Sequence, residues 1–322
     1  MSARNGIVIV GAGLMGQWHA HAAHALGERV RAVVDTDLTR AQTLAKEYEA
    51  RATTDLADAL GTQPFAAHIC TPLDAHVAQA SAALDAGAHV IVEKPFALTP
   101  ADTRALLSRA ASAKLHAVPV HQYLFQTGTR EALDELANFG PPLHADFVAC
   151  SAGADATNER SRIARDILPH AMSVLRRVHG PSFSAIQWSA VEPAQGELRV
   201  TAAADGSSIS ILISMSGRPT QNTARLIGEH GTVHLDFFHG FATFESPDVS
   251  RAHKIARPFT LGAKTLANAA TNLATRALQR EPAYPGLREL VSAFYSAARA
   301  NTAPPISAEE AIDVAVAVEK IG

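Results

Sequence analysis

The chain has 322 residues, 47% of them apolar and 18% charged, and a net charge of −3. That length exceeds what one hydrophobic core fills, so two domains are expected, and the composition excludes an extensively disordered chain. The arginines are scattered and no run of 18 apolar residues occurs, so neither a nucleic-acid footprint, a membrane-surface patch nor a membrane span is expected.

The first 120 residues alternate apolar strands with helical stretches. Ile7–Val10 is a β-branched run leading into a glycine-rich turn and a helix through about Leu26. Val30–Asp35 reads as the second strand, Thr39–Tyr48 as a helix, Arg51–Thr53 as a short edge strand and Asp55–Leu60 as a short helix. Ala66–Cys70 is the next strand, and Ala75–Ala86 is helical with Gly87 as its stop. Ala88–Val92 is another strand, Pro100 opens a helix capped by Thr99, and Ala117–Val120 closes the series. Continuous apolar strands separated by helices predict a parallel, doubly wound sheet covered on both faces. After Val120 the pattern changes. Ile163–Val178 reads as a helix, and Ser184–Val191, Gly196–Ala204, Ser207–Met215, Thr223–Gly228 and Thr232–Phe237 read as strands without intervening helices. Those strands predict an antiparallel sheet, with Asp205-Gly206 and Glu229-His230-Gly231 as turns. Residues 258–280 read as helical in part. Leu287–Arg299 and Ala308–Ile321 are two further helices, the second with Ser307 and Glu310 as a capping box. The boundary is expected at 121/122, giving domains 1–121 and 122–322, with the closing helices able to pack back on the first. Cys70 and Cys150 are the only cysteines and read as free thiols in a reducing compartment. Met1–Gly6 is too short for a signal-peptide apolar region, so the cytoplasm is the expected location.

Gly11-Ala12-Gly13-Leu14-Met15-Gly16 follows a strand and opens a helix. Gly11 permits the tight turn, Gly13 lets the backbone approach a pyrophosphate, and Gly16 allows close helix–strand packing. The helix start then offers N–H groups and a positive dipole end to phosphates. Asp35, at the end of the second strand, is placed for the ribose hydroxyls of an adenosine, and its carboxylate repels a 2′-phosphate. NAD is therefore expected over NADP. Arg40 could meet a phosphate, although Asp37 adds negative charge beside it. Thr71-Pro72 ends the fourth strand and His76 lies in the following helix, where they could line the cofactor crevice. Glu93-Lys94-Pro95 ends the fifth strand. Lysine is scarce here, at six of 28 cationic residues, so one at a strand end facing the ligand crevice points to a wanted titratable point charge. His19, His21 and His24 lack a thiol or carboxylate to complete a metal set and read as a solvated helix face. No metal is expected.

The glycine turn, Asp35, Thr71-Pro72 and Glu93-Lys94-Pro95, in that order and at these intervals, resemble the glucose–fructose oxidoreductase / inositol dehydrogenase (Gfo/Idh/MocA-type) family. The resemblance covers the whole nucleotide domain and extends more loosely through Gly228-x-x-Gly231 to the closing helices. It implies a Rossmann domain followed by an α+β domain with an open, mainly antiparallel sheet, often used to form oligomers, here a homodimer or homotetramer. It also implies NAD(P)-dependent hydride transfer to or from a hydroxyl or keto carbon of a sugar, nucleotide sugar or cyclitol. The alternatives are an NAD-holding sensor without net redox chemistry, or a glycosidase or epimerase that keeps its NAD. The cofactor set implied is Gly11, Gly13, Leu14, Met15, Gly16, Asp35, Thr71, Pro72, His76, Glu93 and Lys94. The family's catalytic lysine falls on Lys94, and its Asp-x-x-x-His pair falls on Asp166 and His170, which share a helix face at i, i+4. Relatives often carry a glycine-rich stretch before that Asp, where this chain has Asn158-Glu159-Arg160-Ser161-Arg162, and Pro169 interrupts the expected helix. His121 and Tyr123 stand where many relatives have an Asn-x-Arg segment, and are candidates to face the substrate together with Lys94, Asp166 and His170.

Overall fold

Four β-branched residues, Ile7–Val10, form β1 and are no more than 1% exposed, as a strand covered on both faces requires. Around it the computed structural model, which describes residues 6–140, 142–151, 159–204, 206–281 and 283–322, builds alternating helices and strands. These are α1 (Leu14–Ala25), β2 (Val30–Val34), α2 (Leu38–Glu47), β3 (Arg51–Thr53), α3 (Leu56–Leu60), β4 (Ala66–Ile69), α4 (Leu73–Asp85), β5 (His89–Val92), α5 (Pro100–Ser112) and β6 (Ala117–Pro119). All strand pairs are parallel, in the order β3-β2-β1-β4-β5-β6. The order reverses between β1 and β4, which makes the carboxyl ends of these strands the switch point where such sheets hold ligands. One face packs Val8, Val10, Ala32, Ile69, Val90 and Val92 against Leu84 and Leu106. Local chemistry starts the helices: Asp37 accepts from the N–H groups of Thr39 and Arg40 at α2, and Thr99 accepts from Asp102 at α5 with Pro100 in its first turn.

The chain then forms α6 (Thr127–Phe139), β7 (Pro142–Cys150) and α7 (Arg160–His179), followed by six strands and a long helix. The strands are β8 (Gln187–Ala194), β9 (Glu197–Ala204), β10 (Ser207–Ser214), β11 (Gln221–Gly228), β12 (Gly231–Asp236) and β13 (Phe241–Glu245), and the helix is α8 (Arg251–Leu278). The sheet order is β13-β12-β11-β7-β10-β9-β8, antiparallel throughout except for the β7–β10 pair. Alternating burial along β8 and β10 leaves one face covered and one open. The buried side carries Phe147, Val200, Ile211, Ile213, Leu226, Val233 and Leu235, while Met172 and Leu175 come from α7. Gly128 is fixed by contact, because a Cβ there would stand 2.2 Å from the backbone of Phe241, so α6 can lie directly on β13. The chain ends in α9 (Leu287–Ala300) and α10 (Ala308–Ile321). By contacts, one compact unit is residues 1–121 with Leu287–Ala315, and the other is Gln122–Gly286 with Val316–Gly322.

The expected fold class, a parallel nucleotide-binding sheet and a second domain with an open, mainly antiparallel sheet, is what the structure contains. It adds α6, β7 and β13, which the strand-and-helix reading left unassigned. The segment around Gly140-Pro141-Pro142 interrupts any periodicity there, and β13 is short. Residues 251–278 are one continuous helix, with Pro258 tolerated inside it. Asn158 and Asp205 of the expected segment and turn lie outside the described residues.

Candidate functional site

At the carboxyl end of β1 the backbone of Gly11 turns at φ +98°, and a Cβ there would stand 2.5 Å from the carbonyl of Cys70. Gly16 is equally constrained: its Cβ would lie 1.8 Å from the oxygen of Gly11. Gly13 differs, since nothing lies within 4 Å of where its Cβ would be. It is the N-cap of α1, supplies no side-chain cap, and the first turn, starting with the exposed Leu14 and the half-buried Met15, holds no acidic residue. The N–H groups of such a first turn have no partner within their own helix. The result is an uncapped helix start with an open approach, which suits an anion. Asp35 lies beside it, 9% exposed, accepting from the Ala12 N–H at 2.8 Å and from the Asp37 N–H at 2.9 Å. The exposed Arg40 reaches Asp35 at 3.5 Å and Asp37 at 3.4 Å, so its charge is shared between two carboxylates. An open glycine, an uncapped helix and an adjacent buried carboxylate fit the phosphates and adenosine ribose of a dinucleotide.

The turns after β4 and β5 are tied together. His76, 1% exposed, places Nε2 at 2.8 Å from the Thr71 carbonyl and Nδ1 at 2.9 Å from the Pro95 carbonyl. The Thr71 hydroxyl donates to Gln79, and Pro72 occupies the N-cap position of α4 without a side-chain cap. Glu93 is 6% exposed and uses both carboxylate oxygens: Oε2 accepts the Lys94 N–H at 3.1 Å and Oε1 faces His19 Nε2 at 3.1 Å. Burial alone would raise the Glu93 carboxyl, but the His19 hydrogen bond and charge, the Lys94 charge and the Lys94 N–H outweigh it and hold it below its ordinary value. Lys94 is half-buried on the turn that this carboxylate clamps.

The chain of contacts continues inward. His19 Nδ1 lies 2.8 Å from His68 Nδ1, and His68 Nε2 lies 2.7 Å from the Tyr295 hydroxyl. His19 and His68 are fully buried and Tyr295 is 2% exposed. With His19 neutral, Tyr295 donates to His68, His68 to His19 and His19 to the Glu93 carboxylate; with His19 protonated, it donates to both Glu93 and His68, and His68 donates to Tyr295. Burial, with the His19 charge, pushes the His68 imidazole well below its ordinary value, and burial pushes the Tyr295 phenol well above it. The expectation of a solvated histidine face is therefore corrected for His19, which points into the core. His24 is exposed as expected. Sequence reasoning missed His68 and Tyr295. The available signal was a histidine inside the apolar run Ala66–Ile69, which needs a buried partner.

In the second unit, His170 lies on α7, 8% exposed, with its ring stacked on Tyr123 at 4.2 Å and 11°. Tyr123 stacks in turn on Phe237 at 4.8 Å and 9°, and its hydroxyl meets the Asn222 side chain. Burial raises the Tyr123 phenol above its ordinary value, with the Asn222 hydrogen bond pulling the other way. Asp166 is one turn earlier on α7 and pairs with Arg162 at 3.4 Å. The helix runs through Pro169, so Asp166 and His170 share one helix. His121, 3% exposed, belongs to the first unit and lies two residues beyond the end of β6. Asn222 and Phe237 are neighbours of this stack that no motif singled out. Among the described residues no group of three His, Cys, Asp or Glu side chains could hold a metal ion.

Sheet order, glycine turn and buried Asp35 define the first unit as a dinucleotide-binding α/β domain. Residues 5–121 match the model of the oxidoreductase family described as having an NAD-binding Rossmann fold, the Gfo/Idh/MocA family that the sequence motifs resemble. The UDP-N-acetylglucosamine 3-dehydrogenase of Acidithiobacillus ferrooxidans is 35% identical over 128 residues, 37% of this chain and 40% of that protein. The D-glucoside 3-dehydrogenase of Escherichia coli is 33% identical over 110 residues, 33% of this chain and 31% of that protein. The chain thus spans well under half the length of these relatives by sequence. Over its whole length its fold is similar to that of the WlbA dehydrogenase from Bordetella pertussis, solved with NADH and UDP-GlcNAcA. The TM-score is 0.75 and the identity 18%, covering 100% of this chain and 95% of that one.

Proposed function

We propose that this protein is an NAD-dependent dehydrogenase acting on a hydroxyl carbon of a sugar, nucleotide sugar or cyclitol. The observation that carries the reading is the placement of Lys94. It stands beyond β5, at the switch-point end of an NAD-binding sheet, on a turn clamped by a buried carboxylate. The named activities of the two partial relatives, both sugar 3-dehydrogenases, support the substrate class.

In this reading the α1 start and Gly13 take the pyrophosphate, Asp35 takes the adenosine ribose hydroxyls, and Thr71, Pro72 and His76 stand beside the nicotinamide ribose. NAD bound there supplies the hydride acceptor. The Lys94 ammonium donates to the oxygen of the reacting hydroxyl and stabilises negative charge as it develops on that oxygen. His170 takes the hydroxyl proton. Its ring plane is held by Tyr123, and Asp166 is its acidic neighbour one turn earlier. His121 and Tyr123 contribute to the substrate wall. Asp35 favours NAD over NADP, because a second carboxylate, Asp37, accompanies it and both already share Arg40. Two free cysteines and the absence, among described residues, of a helix able to cross a membrane are compatible with a cytoplasmic enzyme.

The test is a panel of nucleotide sugars, glycosides and inositols incubated with NAD, with reduced cofactor followed by absorbance. At least one should be oxidised, and Lys94→Ala should lower turnover on it by about 10²–10⁴-fold with NAD affinity unchanged. Native turnover in both Lys94→Ala and His170→Ala would sink the assignment. NAD that stays bound without net reduction would favour a non-redox or internally cycling enzyme instead.

A further inference from the structure

Helix α8 sits on the unit in an unusual way: its polar side chains face the protein and its apolar ones face out. Lys264, Asn268 and Asn272 donate to the carbonyls of Phe244, Ala242 and Gly240, at 3.1, 2.8 and 3.5 Å, and Arg257 pairs with Glu245 at 2.6 Å. These carbonyls alternate along β13, the edge of the sheet, and the residue just before it. Four helical residues rise about 6 Å and two strand residues about 6.6 Å, so side chains at every fourth helical position meet every second carbonyl in step. The helix covers an otherwise unpaired strand edge, and this fixes its rotation.

The same rotation turns Ile255, Phe259, Leu266 and Leu273 outward, at 70, 77, 72 and 69% exposure, and no residue of the 28-residue helix is buried. Phe259, Leu266 and Leu273 recur every seventh residue, and Ala256, Ala263, Ala270 and Ala277 repeat with the same period. A heptad carrying large side chains at one seam position and alanine at the other is the pattern of paired helices, and a soluble chain does not leave such a stripe bare without a use for it.

We propose that α8 pairs antiparallel with α8 of a second copy of this chain about a two-fold axis. In the register that sets one seam position against the other, Phe259 meets Ala270 of the second copy, Leu266 meets Ala263 and Leu273 meets Ala256. Every large side chain is received by an alanine, and by symmetry each contact occurs twice. Charge agrees. Arg251, Lys254, Arg257 and Lys264 fall opposite Leu278, Thr275, Asn272 and Thr265, and Arg276, opposite His253, is hydrogen-bonded to the carbonyls of Glu281 and His239 of its own chain. Arg257 and Lys264 are moreover engaged on their own sheet edge. A lipid surface is the poorer occupant, because alanines at every second seam position gain little from hydrocarbon and these two cations point away from it. This surface is distinct from the open sheet face, and the inference does not depend on the catalytic reading.

Sedimentation velocity on the full chain should show a dimer or a higher even assembly. Leu266→Glu, at an exposed position, should halve that assembly while its circular dichroism and melting remain native. The double variant Ala263→Cys, Leu266→Cys should cross-link between copies under mild oxidant. A monomeric native protein, an assembly untouched by Leu266→Glu, or a monomer that co-sediments with phosphatidylserine vesicles would each overturn the proposal.

Discussion

Gly13 and Gly16 are glycine for different reasons, and the two substitutions separate ligand contact from packing. Gly13→Ala meets nothing in the protein, so its stability should stay within about 0.5 kcal/mol of native. Its Cβ stands where a pyrophosphate would approach, and NAD affinity measured by calorimetry should fall by roughly tenfold or more, about 1.4 kcal/mol. Gly16→Ala drives a Cβ into the Gly11 carbonyl and should lower the melting temperature whether or not NAD is present. Equal behaviour of the two variants would contradict the cradle. At this scale the glycine turn, Asp35 and Glu93-Lys94 were legible in the sequence because close backbone approach and strand-end placement are local properties. The His19–His68–Tyr295 chain was not legible, because its members are 49 and 227 residues apart and meet only in the packed core.

Among elements, α10 and α8 mark the two ends of what periodicity reveals. The Ser307 hydroxyl accepts the Glu310 N–H at 3.1 Å, and Glu310 accepts the Ser307 N–H at 2.9 Å, the reciprocal cap that the spacing predicts. Ser307→Ala should cost about 0.5–2 kcal/mol, read as a lower denaturant midpoint with an unchanged slope. An unaffected midpoint would mean that the box does not stabilise α10. In α8 the heptad stripe is equally visible in sequence, but a stripe ordinarily marks the face turned to the core. Here the unpaired carbonyls of β13 claim the polar face instead, which no pattern within residues 251–278 could announce. Similarly, β7 is central to its sheet with one parallel and one antiparallel neighbour, a placement set by strands far away in the chain.

For the whole molecule, the buried chain from Tyr295 to Glu93 predicts how stability follows pH. The folded protein keeps His68 neutral well below the ordinary imidazole value of 6.5, whereas the unfolded chain protonates it near that value. Unfolding therefore takes up a proton below about pH 6.5, and stability should decline as pH falls from there. Glu93, held below its ordinary 4.5, contributes stability above that value and loses it as pH drops through its folded value. Thermal melts from pH 8 to 5 should show the first decline. His68→Leu should melt lower throughout, because His19 and Tyr295 lose a partner, but with a flatter slope between pH 6.5 and 5. A native slope in that variant would assign the effect elsewhere. The sequence by itself determined the parallel nucleotide-binding domain, the strand-end lysine and the dinucleotide turn, since hydrophobic period and glycine placement act over a few residues. Only the tertiary structure decided that His19 is buried on Glu93, that Tyr123 stacks on His170, and that α8 shows its apolar face to solvent. Each of these depends on which distant backbone and side-chain groups are left needing a partner once the sheets have formed.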